Sequence, residues 1–292
     1  MLGNSSLKNR FLANLRAYKK RPFSLIIRLL VYLSAIITLG ILIFIVGHIL
    51  INGLPYINAD IFAWEYTSEN SSMMPAIINT LIMTFISLLI AVPLGIFSAI
   101  YLVEYSKKGN KITGIVRVTA ETLTGIPSII YGLFGFLFFV IALDWGYSII
   151  SGSCTLAIMV LPVIMRSTEE ALLSVPDSYR EASFGLGAGK LRTVFKIVLP
   201  SAIPGILSGV ILSVGRIVGE TAALMYTAGT VTKVAGSLFD SGRTLSVHMY
   251  SLSREGLHVN QSYATAVVLL IIVIFINALS SLIAKKVVNV QS

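Results

Sequence analysis

Six stretches of this chain are long and apolar enough to cross a lipid bilayer, and no other feature constrains its fold as strongly. They run over about 26–51, 76–103, 122–143, 149–171, 202–229 and 263–284. A bilayer core takes roughly 20 residues of helix at a rise of 1.5 Å each. In lipid each segment must satisfy its own backbone N–H and C=O groups, so the expectation is an all-α, polytopic helical bundle without a sheet. Charged residues make up only 12% of the chain, against about a quarter in soluble proteins. The basic start and the first apolar run imitate a signal peptide, but residues 25–51 are too long for its hydrophobic region, so they are read as a retained first span.

The distribution of charge sets an orientation. A formal net charge of +9 would suggest nucleic acid in a soluble domain, but here the cations cluster in short segments between apolar runs. Lys8, Arg10, Arg16, Lys19, Lys20, Arg21 and Arg28 precede or begin the first span, and Lys107, Lys108, Lys111 and Arg117 fill the second loop. Arg166, Arg180, Lys190, Arg192, Lys196, Lys285 and Lys286 continue the same side, leaving Lys233, Arg243 and Arg254 opposite and Arg216 inside a span. By the positive-inside rule both termini are expected in the cytoplasm. The first outer loop, 52–75, agrees: it holds Asp60, Glu65 and Glu69 without Lys or Arg, and Tyr56, Trp64 and Tyr66 suit an interface.

Three segments follow from this reading: a basic N-terminal arm over 1–24, a first transmembrane helix and outer loop over 25–75, and a core over 76–287. In the arm, Leu7, Phe11, Leu12 and Leu15 stand at helical spacing among cations, which fits either a helix lying on anionic lipid or a disordered basic tail. Cys154 is the sole cysteine, so no intrachain disulfide forms. His248 and His258 are ten residues apart without a third partner, so no metal is expected; no cofactor is implied.

The loop between spans four and five carries a distinct pattern. Pro176 and Asp177 mark a helix start, and Gly185, Gly187 and Gly189 interrupt it before a second amphipathic segment. The run Gly185–Lys190 superficially suggests a phosphate loop, but its spacing is wrong and Leu191 stands where Ser or Thr is needed. The segment 176–200 instead resembles the EAA loop of ABC importer permeases, on Glu181, Ala182, Gly187, Ile197, Leu199 and Pro200, with Ser183 replacing the second alanine. That resemblance implies a short helix docking into a separate ATPase subunit. The chain has no Walker motif of its own, so it is expected to be a permease and not an enzyme.

Within the fifth span, Arg216 and Glu220 lie four residues apart, which on a continuous helix puts them on one face. A central Arg costs roughly 2.5–3.5 kcal/mol on insertion scales, so the pair should face the bundle interior or a water-filled path. A forked guanidinium suits a tetrahedral oxyanion, with the carboxylate holding it and balancing its charge; a buried structural lock satisfies the same constraint. Gly205, Gly209, Gly215, Gly219 and Gly229, with Ser208 and Ser213, are expected to let this helix pack closely against another permease chain.

Across spans two to six the chain is similar to PstA-type permeases of phosphate importers, on the runs at 122–135, 161–176 and 216–224. The resemblance implies a six-helix, MetI-like type I ABC importer bundle in the cell membrane. It implies a second, similar permease, two ATP-binding subunits on the cytoplasmic face and an extracytoplasmic phosphate-binding protein as partners. It makes Arg216 and Glu220 the charged pair of the phosphate pathway and Arg166 a further charged position. Pro127, between Gly125 and Gly132, is expected to kink span three, and the outer loop 230–262, with Lys233, Arg243, Arg254, His248 and His258, to receive the binding protein. Three rivals stay open: another oxyanion such as molybdate or sulfate, a stand-alone anion channel or proton-coupled carrier, and a noncatalytic membrane scaffold.

Overall fold

A computed structural model describes residues 22–107 and 109–289. The N-terminal arm therefore lies almost wholly outside the described residues. The described chain is helical throughout, with no strand. Five helices are long and apolar enough to span a membrane unbroken, and a sixth span is available if one sharply bent pair counts as one.

Helix α1 (Pro22–Gly53) belongs to a unit of its own, ending at Asn52. Its apolar side chains stand exposed all along its length, Leu29, Ile36 and Phe44 among them, the pattern of a helix made for lipid.

The second unit begins at Gly53 and holds everything else. After two short 3-10 turns come α2 (Met74–Ile100), prolonged by a π turn to Tyr105, then α3 (Lys111–Thr124) and α4 (Ser128–Gly135), prolonged to Ala142. Next are α5 (Ile149–Leu173), α6 (Asp177–Gly185) and α7 (Lys190–Thr193), the last running through a π turn into α8 (Leu199–Val218). The unit closes with α9 (Ala222–Thr227), α10 (Leu245–Glu255) and α11 (Val259–Asn289).

Helix α5 is the centre of this unit: 67% of its most apolar window is buried, against 33% for the α2 window and 17% for that of α11. It packs along α2 on one side and α8 on the other. Its core residues Ile149, Leu156, Met159, Val160 and Ile164 meet Met83, Ala91, Ile217 and Leu224. Glycine sets the approach. A Cβ on Gly95 would sit 2.8 Å from Ile164, one on Gly205 2.6 Å from Ala171, and one on Gly209 2.4 Å from Ser167. Without hydrophobic drive between helices in lipid, such close contact supplies the attraction. Two of the α8 glycines expected to face a second permease are thus filled by this chain's own α5.

The third and fifth spans depart from the continuous helices expected at 122–143 and 202–229. Between α3 and α4 the axis turns through 106° at Gly125–Pro127: Pro127 has no N–H to continue the ladder and extends the backbone to ψ 139°. The Tyr131 hydroxyl donates at 2.7 Å to the Leu123 carbonyl, which also accepts from the Ile126 N–H at 3.2 Å, pinning the corner. The fifth span stops at Val218, with Gly219, Glu220 and Thr221 separating it from α9.

Candidate functional site

The break in the fifth span is where the sequence placed its charged pair, and it changes what that pair can do. Arg216 occupies the last turn of α8, and Glu220 lies beyond the helix end. The Glu220 carboxylate, buried, accepts from the Ala223 N–H at 3.0 Å and so satisfies one of the unpaired donors at the start of α9. The Val218 carbonyl, released by the same break, accepts from the Ser246 hydroxyl of α10. Arg216 and Glu220 are not among the ion pairs of the described residues. The expected same-face ion pair is therefore corrected: Glu220 caps α9, while Arg216 is half-buried and near enough to Tyr131 for the two to interact electrostatically.

The same break brings α9 onto α4. A Cβ on Gly132 would lie 2.7 Å from the Ala223 Cα, and one on Gly135 2.7 Å from the Thr227 side chain. The two short helices, each starting after a break in its span, share one interface beside Arg216. Broken helices at membrane depth are tolerated where protein or a water-lined cavity takes up the freed backbone groups, and at the fifth-span break Ser246 and Glu220 do so.

Arg166 is elsewhere. It is exposed on α5, bonded to Glu170 at 3.1 Å and within 3.5 Å of Glu121 on α3, while Arg117 pairs with Glu169 at 2.6 Å. These groups line a cavity of about 240 Å³. No hydrogen bond or ion pair among the described residues joins Arg166 to Arg216 or Glu220.

Residues 176–200 form a helical hairpin. Helix α6 ends at Gly185, and Gly187, at φ +80°, makes the left-handed turn that only glycine adopts without strain. Glu181, Ala182 and Gly187 are exposed, Leu186 is 90% exposed, and Ile197, Leu199 and Pro200 are partly covered where the hairpin enters α8. Ser183, the departure from the EAA pattern, is buried with its hydroxyl 2.8 Å from that of Thr193 on the opposite arm, so it ties the hairpin shut.

The strongest bond into this hairpin was missed by sequence reasoning, which treated Arg180 only as a topological charge. Arg180 donates to Glu104 at the end of α2 at 2.7 Å, and to the Leu172 and Val175 carbonyls at the end of α5 at 2.9 Å each. Glu104 is 76 residues away in sequence, and nothing in the local pattern signals it.

The outer loop is likewise different from its expected form. Lys233, Arg254 and His258 remain exposed or partly so, but Arg243 and His248 are buried and not on the open surface of the loop. Burial, and after it the Arg243 charge, pushes the His248 imidazole down to about 3, so it is neutral at physiological pH.

Residues 91–289 match the family model described as binding-protein-dependent transport system inner membrane component. The probable ABC transporter permease protein YqgI of Bacillus subtilis (strain 168) is 36% identical over 245 residues, 77% of this chain and 81% of that one. The phosphate transport system permease protein PstA 1 of Mycobacterium tuberculosis (strain ATCC 25618 / H37Rv) is 35% identical over 211 residues, 71% of this chain and 68% of that one. Among solved structures, a bacterial ABC transporter involved in import of the acidic polysaccharide alginate aligns with TM-score 0.66 over 94% of this chain and 99% of that one, at 17% identity. The inward-facing MetNI methionine ABC transporter aligns with TM-score 0.56 at 22% identity over 74% of this chain and 94% of that one. At such identities the structures speak for the fold alone. The chain belongs to the binding-protein-dependent transport system inner membrane component family, as a multi-pass, PstA-type permease subunit of an ABC importer whose ATPase is a separate subunit.

Proposed function

We propose that this chain is a permease subunit of an ATP-driven phosphate importer. It forms the pathway with a second, similar permease, couples to two ATP-binding subunits through the 176–200 hairpin, and takes phosphate from an extracytoplasmic binding protein. Both termini then lie in the cytoplasm, with the hairpin on the same side.

The observation that carries this reading is the break at Gly219–Thr221, which leaves a half-buried guanidinium at the end of α8 in a chain that is similar to phosphate permeases over some 70% of its length. With Glu220 engaged by the α9 backbone, Arg216 keeps donors for a passing anion, and a forked guanidinium is matched to tetrahedral oxygens. Glu220 acts by holding the break open, not by neutralising Arg216. Arg166, held by Glu121 and Glu170, is assigned to the inner mouth of the pathway.

Exposed Tyr179, Phe184, Leu186 and Leu191 on the hairpin give an apolar surface for an ATPase cleft, with Glu181 on the same helix. The deciding test is uptake of radiolabelled phosphate by proteoliposomes holding the assembled transporter, with and without ATP, against molybdate and sulfate as competitors. Arg216→Gln should assemble normally and lose uptake. Uptake displaced by another oxyanion changes the cargo but not the machine; flux through this chain alone without ATP refutes the importer. An assembly defect in Arg216→Gln with no separable loss of transport assigns the residue to a structural lock.

A further inference from the structure

The segment between the break and the last span, with Tyr66 and Ser68 of the first outer loop, lines an open cavity that none of the roles above uses. It measures about 620 Å³, and its wall includes Tyr66, Thr230, Thr232, Arg243, Arg254 and Glu255. Met225 of α9 borders it as well, which puts it beyond the α8 end and about 30 Å of helix from the coupling hairpin. Arg216 is not part of its wall.

Arg243 is the anomaly. It is 4% exposed, it is in none of the ion pairs of the described residues, and its Nη2 has no hydrogen-bond partner. The Tyr66 ring lies 4.6 Å from its guanidinium carbon, a contact that eases burial of the charge but offers the N–H donors no carboxylate. A buried guanidinium with an unmet donor is costly and is kept where something completes it.

The main chain around Arg243 is fixed before any ligand arrives. Its N–H donates to the Val231 carbonyl at 2.9 Å, and its own carbonyl accepts from the Asn79 side chain of α2 at 3.3 Å. Asn79 also donates to Lys233 O and accepts from Ala235 N, while Thr80 accepts from the Leu245 N–H. The loop is thus bolted to α2 on both sides of the arginine. Arg243 and Arg254 face Glu255 alone among the charged groups of the wall, leaving it net positive, and the neutral His248 neither adds to that charge nor offsets it.

We infer that this cavity is an oxyanion-binding subsite, with Arg243 as the anion ligand, Thr230 and Thr232 as hydroxyl neighbours and Arg254 at the rim, and that it takes a small tetrahedral oxyanion. Residues bearing hydroxyls, phenols and guanidinium groups make up most of the wall, with Met225 its sole aliphatic member, and forked guanidinium donors beside hydroxyls suit an ion bearing acceptors on every side. The identity of the ion as phosphate rests on the function proposed above; the subsite itself does not.

The test uses the assembled transporter in lipid nanodiscs without binding protein or nucleotide, titrated with inorganic phosphate and separately with sulfate and molybdate by calorimetry. Arg243→Gln should weaken phosphate binding by about tenfold or more, the loss expected for a hydrogen bond to a charged group, Arg243→Lys should retain part of it, and Arg216→Gln should leave a saturable site. Thr232→Phe, which fills the cavity from a partly exposed position, should abolish binding and decides the matter if Arg243→Gln does not assemble. Phosphate binding unchanged in both Arg243→Gln and Thr232→Phe overturns the subsite. So does a result in which Arg243→Gln leaves phosphate titrations unaltered but prevents the binding protein from docking, since the arginine then serves a protein carboxylate. Arg243-dependent binding of sulfate or molybdate but not phosphate keeps the subsite and refutes phosphate as the cargo.

Discussion

Replacing Arg180 with alanine should loosen the 176–200 hairpin without disturbing the spans. Arg180 and Glu104 are 15% and 9% exposed, so their 2.7 Å bond is close to a buried one. Breaking a buried pair by removing one partner costs about 3–5 kcal/mol, because the other charge is left uncompensated; the residual exposure brings the expectation to about 2–4 kcal/mol. The Leu172 and Val175 carbonyls at the end of α5 lose their side-chain donor in the same step. Because α6 has few other ties to the bundle, the loss should appear as local opening, and about 2–4 kcal/mol corresponds to a roughly 30- to 1000-fold drop in amide protection. Hydrogen exchange over 177–185 in the detergent-solubilised complex reads this directly, with amides of α5 over 156–165 as the internal reference. In a double-mutant cycle, adding Glu104→Ala should restore part of the protection, since the stranded charge goes with it. Unchanged protection over 177–185 in Arg180→Ala, or strict additivity with Glu104→Ala, would refute the idea that this pair holds the hairpin.

Three further outcomes are expected. Gly187→Ala meets no neighbour within 4 Å but must adopt φ +80°, costing about 1–2 kcal/mol of hairpin geometry; a pull-down with the ATPase subunit should show weakened association at unchanged membrane content. Gly135→Ala would push a methyl to within 2.7 Å of Thr227 and closer still to Thr155, an overpacking cost of about 1–3 kcal/mol that a lowered thermal midpoint in detergent should report. His248 has its folded pKa depressed to about 3 from 6.5, so the unfolded state binds the proton first as pH falls. Stability should be full above about pH 6.5 and decline toward pH 3 by up to about 1.4 kcal/mol per pH unit, and His248→Gln should flatten that dependence in thermal midpoints measured between pH 7.5 and 5.

What was legible in the sequence were the features that repeat along the chain. Apolar length gave the spans because lipid demands internally bonded helix, and the hairpin was legible because Pro176, Gly185, Gly187 and Gly189 punctuate it by local sterics. The two broken spans were not legible as breaks. Gly125–Pro127 reads equally as a gentle kink, and nothing in the run from Val218 to Ala222 says that the ladder stops, since a Glu four residues after an Arg is also the ordinary pattern of one helix face. The deciding partners are distant: Ser246 for the Val218 carbonyl and α4 for the face of α9. Arg243 illustrates the same limit. Its sequence neighbourhood is polar and rich in Ser and Gly, the mark of a surface connector, and only the bonds from Asn79 and Thr80 turn that segment inward.

The two ends of the fifth span can now be related mechanically. From Lys190 to Val218 the chain is 29 residues of continuous helix with one π turn at Val194–Val198, about 43 Å at the α-helical rise, with the hairpin turn at one end and Arg216 in the last turn at the other. A helix of that kind transmits displacement far better than it absorbs it, whereas Gly219–Thr221 is a short non-helical joint between two packed elements, and joints of this sort take up the dihedral changes in rigid-body motion. Arg180 ties the hairpin to α2 and α5 through Glu104 and two carbonyls, bonds that resist bending of the hairpin away from those helices. Helix α9 packs on α4 through Gly132 and Gly135 and on α5 through Leu224, so it is held from two sides beyond the joint. On the function proposed above, rotation about that joint would change the position of Arg216 relative to Glu220 and Ala223, as an anion ligand that holds its ion in one state of the pathway and releases it in the next requires.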